Sequence, residues 1–267
     1  MDAWDAMRKW DAWLDVTGIS ERTRSAYRYR MVRMAADLMK DPLSLDEDDV
    51  VGYLAEMDPR GHSRGDVTRA ARSFYGWAEE RGLVRSPVRR VKTRRLKYGP
   101  APALADADVR RLADAAGERA PVRRWAVLFM YATGARVGTF VRVRPQDVSV
   151  SGEYVDLPEA KGAPPYRVPL GPTGLEAARE LLALCNGRET LIGVGRGAVE
   201  AWVRTAAADA KVPAWPHLLR HSFATRLAES GTAPDVMRTL MNHSDYSQLA
   251  RYVSTSEERT REAVARL

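Results

Sequence analysis

The chain has 267 residues, room for one large domain or two ordinary ones, and its 45% hydrophobic and 29% charged composition is that of a folded soluble protein. It holds no eighteen-residue apolar run, its opening MDAWDAMRKWDAWLDV lacks the basic-then-apolar order of a signal peptide, and its one cysteine, Cys185, excludes an internal disulfide, so a cytoplasmic protein is expected. The net charge of +7, with 36 of the 42 basic residues arginine, makes nucleic acid the leading partner, because the guanidinium fork grips phosphate through paired hydrogen bonds; a GC-rich genome raises arginine as well.

Residues 1–84 read as several helices with short breaks. In ERTRSAYRYRMVRMAADLM, Tyr27, Met31, Met34, Ala35 and Leu38 share one stripe, Arg22 and Arg33 lie opposite, and Ser20 is placed as N-cap. A helix is expected from near Leu45 to the Asp58-Pro59 pair. Another is expected over about 64–81, burying Val67, Ala71, Phe74 and Ala78 and stopped by Gly82. RSPVRRVKTRRLK, residues 85–97, then carries seven basic residues and no acid, and YGPAPA follows. This reads as a linker. A nuclear-import signal is one function for such a run. A strap along a phosphate backbone, through Arg85, Arg89, Arg90, Lys92, Arg94, Arg95 and Lys97, is preferred given the overall charge.

A second domain starts at Leu104. LADADVRRLADAA is amphipathic, and PVRRWAVLFMYATGAR has Pro121 in its first turn and Gly134 near its end. DVSV, EYVDLP and YRVPL are short β-branched runs separated by turn residues, which predicts a small antiparallel sheet; helix returns after Gly171. The expected class is mainly α with a small antiparallel β-sheet, in two domains.

Two of the four histidines sit in HLLRH, residues 217–221, on a helix begun by Pro216 and stopped by Gly231. At 100° per residue His217 and Arg220 project about 60° apart, and His221 about 40° to the other side of His217. Leu219, Phe223 and Leu227 form an apolar stripe that would anchor the helix and leave a cationic edge. Two satisfied histidines, a metal site of His217, His221 and His243, and an anion grip are the readings of this motif alone. An arginine beside a dication and the lack of an acidic ligand cluster argue against the metal.

Further fragments decide for the anion. TGAR ends in Arg136, AKG puts Lys161 in a hairpin turn, HLLRHSFAT holds His217 and Arg220, MNHS holds His243, and Tyr252 follows His243 by nine residues. In order and separation these resemble the tyrosine recombinase (phage integrase, Xer-like) family over nearly the whole chain. RSFYGWAEERGLVRSPV also looks like the end of that family's core-binding domain. The resemblance implies a helical core-binding domain over 1–84, a basic linker over 85–103 and a mixed α+β catalytic domain over 104–267. These boundaries leave no room for the arm-binding domain of many phage integrases.

By position, the resemblance makes Arg136 and Arg220 clamps on a scissile DNA phosphate and Lys161 the acid for the leaving 5′-hydroxyl. His217 would handle the tyrosine proton, His243 would bond the phosphate, and Tyr252 would be the nucleophile of a 3′-phosphotyrosine intermediate. It implies double-stranded DNA as substrate, a tetramer on paired sites, an accessory DNA-bending protein as a candidate partner, and no cofactor, metal or membrane. A DNA-binding protein with impaired catalysis and a type IB topoisomerase-like enzyme are the alternatives. Thr139 stands where the family usually has an acid, and Asn242 where it usually has glycine.

Overall fold

A computed structural model describes residues 2–57, 63–92, 103–158 and 165–242, and the chain divides into two compact units, 1–98 and 99–267. Among the described residues no helix is long and apolar enough to cross a membrane.

The first unit is helical: α1 (Ala3–Val16), α2 (Glu21–Leu38), a 3-10 turn (Pro42–Ser44), α3 (Glu47–Glu56) and α4 (Ser63–Glu80). Ser20 caps α2 as its sequence predicts, accepting a hydrogen bond from the Thr23 N–H. The third helix starts two residues later than expected, because Asp46 and Asp49 form a reciprocal capping box there. Met31, Met34 and Ala35 of α2 and Val67, Ala71, Phe74 and Ala78 of α4 are buried with Trp10, as the stripes predict. Trp10 meets Phe74 edge-on at 5.3 Å between ring centroids. Each such large side chain withdrawn from water stabilises the unit by roughly 1.5–3 kcal/mol.

The basic run differs from its sequence reading over 85–92, where it is a packed edge of this unit. Pro87, Val88 and Val91 are buried, and the Arg72 guanidinium donates to the Val91 carbonyl at 2.5 Å. Three apolar residues interleaved with the cations supply an anchor that a plain linker lacks. Arg85, Arg89, Arg90 and Lys92 between them are exposed. Arg94, Arg95 and Lys97 lie outside the described residues.

The second unit contains α5 (Asp106–Arg119), α6 (Pro121–Thr133), α7 (Val137–Phe140), a three-stranded sheet, α8 (Pro172–Cys185), α9 (Arg196–Ala210), α10 (Pro216–Glu229) and α11 (Pro234–Leu240). Helix α6 is central and packs on α5, α8 and α10. It earns that place by sequence: Ala126 to Met130 is an unbroken apolar run, all of it buried. Strands β1 (Val148–Ser149), β2 (Tyr154–Leu157) and β3 (Tyr166–Pro169) pair antiparallel in the order β1-β2-β3. Alternation buries Val155 and Leu157 and turns Asp156 outward against its register partner Arg167. That guanidinium, at 2.8 Å, holds the Asp156 carboxyl below the usual carboxylate range.

Candidate active site

Three helix ends build the site, beginning with the C-terminus of α6. Thr133 donates its hydroxyl to the Phe129 carbonyl at 2.7 Å and accepts from the Ala135 N–H at 3.3 Å, which locks the turn. Gly134 takes the left-handed conformation, with φ of 62°. A Cβ at this position would lie 2.3 Å from Cδ1 of Phe223, so glycine is needed for space as well as for backbone. The chain then re-extends at Arg136, the N-cap of α7. The threonine and glycine of TGAR thus each have a local physical reason.

The second contribution is α10. Its sequence predicts an apolar stripe and a cationic edge, but the structure encloses the helix more completely. Leu218, Leu219, Arg220, His221 and Ser222 are all buried, while Phe223 and Leu227 are only partly so. Arg220 is 2% exposed, so the cationic edge is closed to solvent at this position. Its guanidinium donates through Nη1 to the Gly134 carbonyl at 2.7 Å and through Nη2 to the Met241 carbonyl. Such bonds offset the cost of burying a charge. Ser222 fixes the start of this unit: its Oγ accepts from the Leu104 N–H at 2.8 Å and donates to the Leu218 carbonyl at 2.8 Å. His217, in the first turn of α10, is exposed.

The third contribution is the end of α11. Met241 caps this helix, and Asn242 is left-handed with φ of 44°. Asparagine tolerates that region better than any other residue with a side chain. The Asn242 carbonyl accepts from Nη2 of Arg136 at 3.3 Å. Arg136 and Arg220, 84 positions apart in sequence, therefore dock on two successive carbonyls, immediately before His243.

Lys161, His243 and Tyr252 lie outside the described residues. Lys161 belongs to the segment joining β2 to β3, whose base is tied down by Arg142, donating to the Pro158 carbonyl at 3.2 Å. Thr139, where an acid was expected from the resemblance, is buried on α7, its N–H bonded to the Arg136 carbonyl at 2.9 Å. Among the described residues no group of His, Cys, Asp and Glu could hold a metal ion. The Gly134, Met241 and Asn242 carbonyls, Ser222 and Arg142 were not legible as site residues. A backbone carbonyl has no sequence signature, and the only hint was the left-handed preference of Gly134 and Asn242.

A sequence model of the phage integrase family matches residues 102–259. The chain belongs to the phage integrase family. Its relatives in this family of tyrosine recombinases include the tyrosine recombinase XerD of Listeria monocytogenes serotype 4b (strain F2365), 28% identical over 92% of each chain. A tyrosine recombinase of Thermosipho africanus (strain TCF52B) is 24% identical over 93% of this chain and 94% of its own length. Among solved integrase structures, the fold matches a lambda integrase tetramer bound to a Holliday junction with a TM-score of 0.78, at 17% identity, over 96% of this chain and 80% of that one. The Tn1549 transposon integrase in complex with transposon right end DNA matches with a TM-score of 0.75, at 17% identity, over 100% and 99% of the two chains. The phage integrase fold thus extends beyond the matched segment into the first unit.

Proposed function

We propose that the chain is a site-specific DNA recombinase that cuts and rejoins strands through a 3′-phosphotyrosine at Tyr252. The observation that carries this reading is the convergence of Arg136 and Arg220 on the carbonyls of residues 241 and 242, in a chain of the phage integrase family. Phosphoryl transfer spreads negative charge over the non-bridging oxygens, and two oriented guanidiniums supply what metal ions supply in other enzymes. A tyrosine is only about a thousandth ionised at neutral pH, so His217 would accept its proton as the phenol oxygen attacks phosphorus. The bond to the 5′-oxygen breaks, and Lys161 would give that oxygen a proton. His243 would hydrogen-bond the phosphate. The phosphotyrosine keeps the bond energy, so the freed 5′-hydroxyl of a partner strand can attack it and restore a phosphodiester without ATP.

Residues 1–84 would serve as core-binding domain and 104–267 as catalytic domain. The strap within 85–103 would lie along double-stranded DNA, where the exposure of Arg85, Arg89, Arg90 and Lys92 supports it. A tetramer on paired sites, formed where the cell holds its DNA, follows the assembly seen for lambda integrase. DNA recovered with a Tyr252→Phe variant identifies the target site. On that DNA the wild-type chain should give a protease-sensitive covalent adduct, in EDTA as well as without it, mapped by mass spectrometry to Tyr252. A linkage at another residue refutes the assignment. Binding without any adduct identifies an impaired DNA-binding protein, and relaxation of any plasmid by the monomer identifies a topoisomerase-like enzyme.

A further inference from the structure

The resemblance assigns roles to Arg136 and Arg220 but says nothing of what aims them. In the structure three backbone carbonyls contribute to that task. Helix α11 ends at Leu240, and its last carbonyls have no partner within the helix. Asn242, at φ of 44°, turns the chain so that two consecutive carbonyls face two different guanidiniums. Met241 takes Nη2 of Arg220 and Asn242 takes Nη2 of Arg136. The remaining fork of Arg220 meets Gly134, whose φ of 62° ends α6 in the same left-handed manner. Three carbonyls from two left-handed helix ends thus accept from the two guanidiniums, two from Arg220 and one from Arg136. Met241 itself is fully buried, and its N–H is bonded to the Met237 carbonyl at 2.9 Å, so the end of α11 is a rigid support.

We infer that Asn242 is a positioning residue for phosphoryl transfer: its left-handed backbone helps set the aim of both arginines. The inference rests on the proposed recombinase reading. A carbonyl carries only a partial negative charge, so it orients a guanidinium while drawing off little of the charge offered to the phosphate. A β-branched residue at 242 strongly resists positive φ, pulls both carbonyls out of line, and swings two cations away from the same phosphate.

The test is single-turnover formation of the covalent adduct on the recovered target site. Rates should fall in the order Asn242→Gly, Asn242→Ala, Asn242→Val. The last should lie at least about 100-fold below the first, since losing even one oriented donor to transition-state charge costs on that scale. Single-site DNA affinity should change little along the series. The second arm places a methylphosphonate at the scissile position, which removes one non-bridging negative charge and with it much of the need for oriented cations. There the spread between Gly and Val should shrink to about ten-fold or less. A general loss of fold would slow both substrates alike, and the milder alanine variant carries the comparison should the valine variant unfold. Equal rates across the series, a glycine variant slower than alanine, or the same spread on both substrates overturns the inference. A wild-type chain that forms no adduct overturns the recombinase reading instead.

Discussion

Gly134→Ala tests the turn on which the site depends. Two costs add. The backbone at φ of 62° penalises any L side chain, by roughly 1–2 kcal/mol. The new Cβ would also lie 2.3 Å from Cδ1 and 2.8 Å from Cε1 of Phe223, and forcing a methyl into packed surroundings costs about 1–3 kcal/mol. Phe223 borders a cavity of about 460 Å³ lined also by Leu128, Tyr131 and Leu227, so its ring has space to retreat and the second cost falls at the low end. The sum is about 2–4 kcal/mol, or roughly 4–16 °C in the melting temperature of a unit this size. Urea denaturation of Gly134→Ala, Phe223→Ala and the double variant separates the two terms. With the ring removed, Gly134→Ala should cost only the backbone share, about 1–2 kcal/mol. A loss below about 1 kcal/mol in the wild-type background, or the same loss in both backgrounds, refutes the account of TGAR as a turn closed by Phe223.

Ser222→Ala strands the buried Leu104 N–H and should destabilise the second unit by about 1–3 kcal/mol, with hydrogen exchange at Leu104 accelerating before that of α6. Exchange unchanged at Leu104 would show that Ser222 does not hold it. Replacing Arg85, Arg89, Arg90 and Lys92 together with alanine should flatten the dependence of DNA affinity on salt, by about 0.9 in log–log slope for each phosphate no longer neutralised; an unchanged slope places the strap off the DNA. Arg142→Ala frees the base of the segment that carries Lys161 and should slow cleavage on the order of ten-fold. A 5′-bridging sulfur, which leaves as a thiolate and needs no acid, should erase that defect, and a defect of equal size on both substrates would argue against a role through Lys161.

Much of the fold was legible because burial obeys periodicity. Met31, Met34 and Ala35 on α2, Val67 to Ala78 on α4, and the alternation of Val155, Asp156 and Leu157 fall where the apolar pattern puts them. The pattern failed where apolar residues are interspersed at no regular period. Pro87, Val88 and Val91 were hidden among seven cations, and the charge of the run masked their role as an anchor. It failed again on α10, which packs on α6 and α11 and buries residues that the stripe of Leu219, Phe223 and Leu227 would leave open; which neighbours cover a helix is a tertiary fact that no single helix encodes. Of the proposed site, motif spacing singled out Arg136, Arg220 and His217, and the structure brings the two arginines onto neighbouring carbonyls. The carbonyls that aim the arginines escaped, because peptide groups are chemically alike at every position and only their conformation distinguishes them.

Among the described residues, three groups of arginines are set apart by their partners. On α2, Arg24 and Arg28 engage Asp11 and Glu21, Arg30 engages Asp66 and Arg33 engages Asp37. Those cations are neutralised at short range and contribute little field at a distance; the pairs with Asp11 and Asp66 also join α2 to α1 and α4. Along 85–92, Arg85, Arg89, Arg90 and Lys92 are exposed and have no carboxylate partner among the described residues, so their charge extends into solvent where a polyanion can meet it. Arg220 and Arg136 are handled in a third way, bonded to carbonyls at the ends of α6 and α11. A helix C-terminus carries about half an elementary negative charge, enough to hold and orient a guanidinium but less than a carboxylate would place beside it. Arg220 is also buried from competing water, which under the proposed function would strengthen the hold of its guanidinium on a phosphate. The composition that first pointed to nucleic acid is therefore partitioned by the fold into cations paired with carboxylates, cations exposed to solvent and cations bonded to carbonyls at left-handed helix ends, and under the proposed function the last group would meet the phosphate.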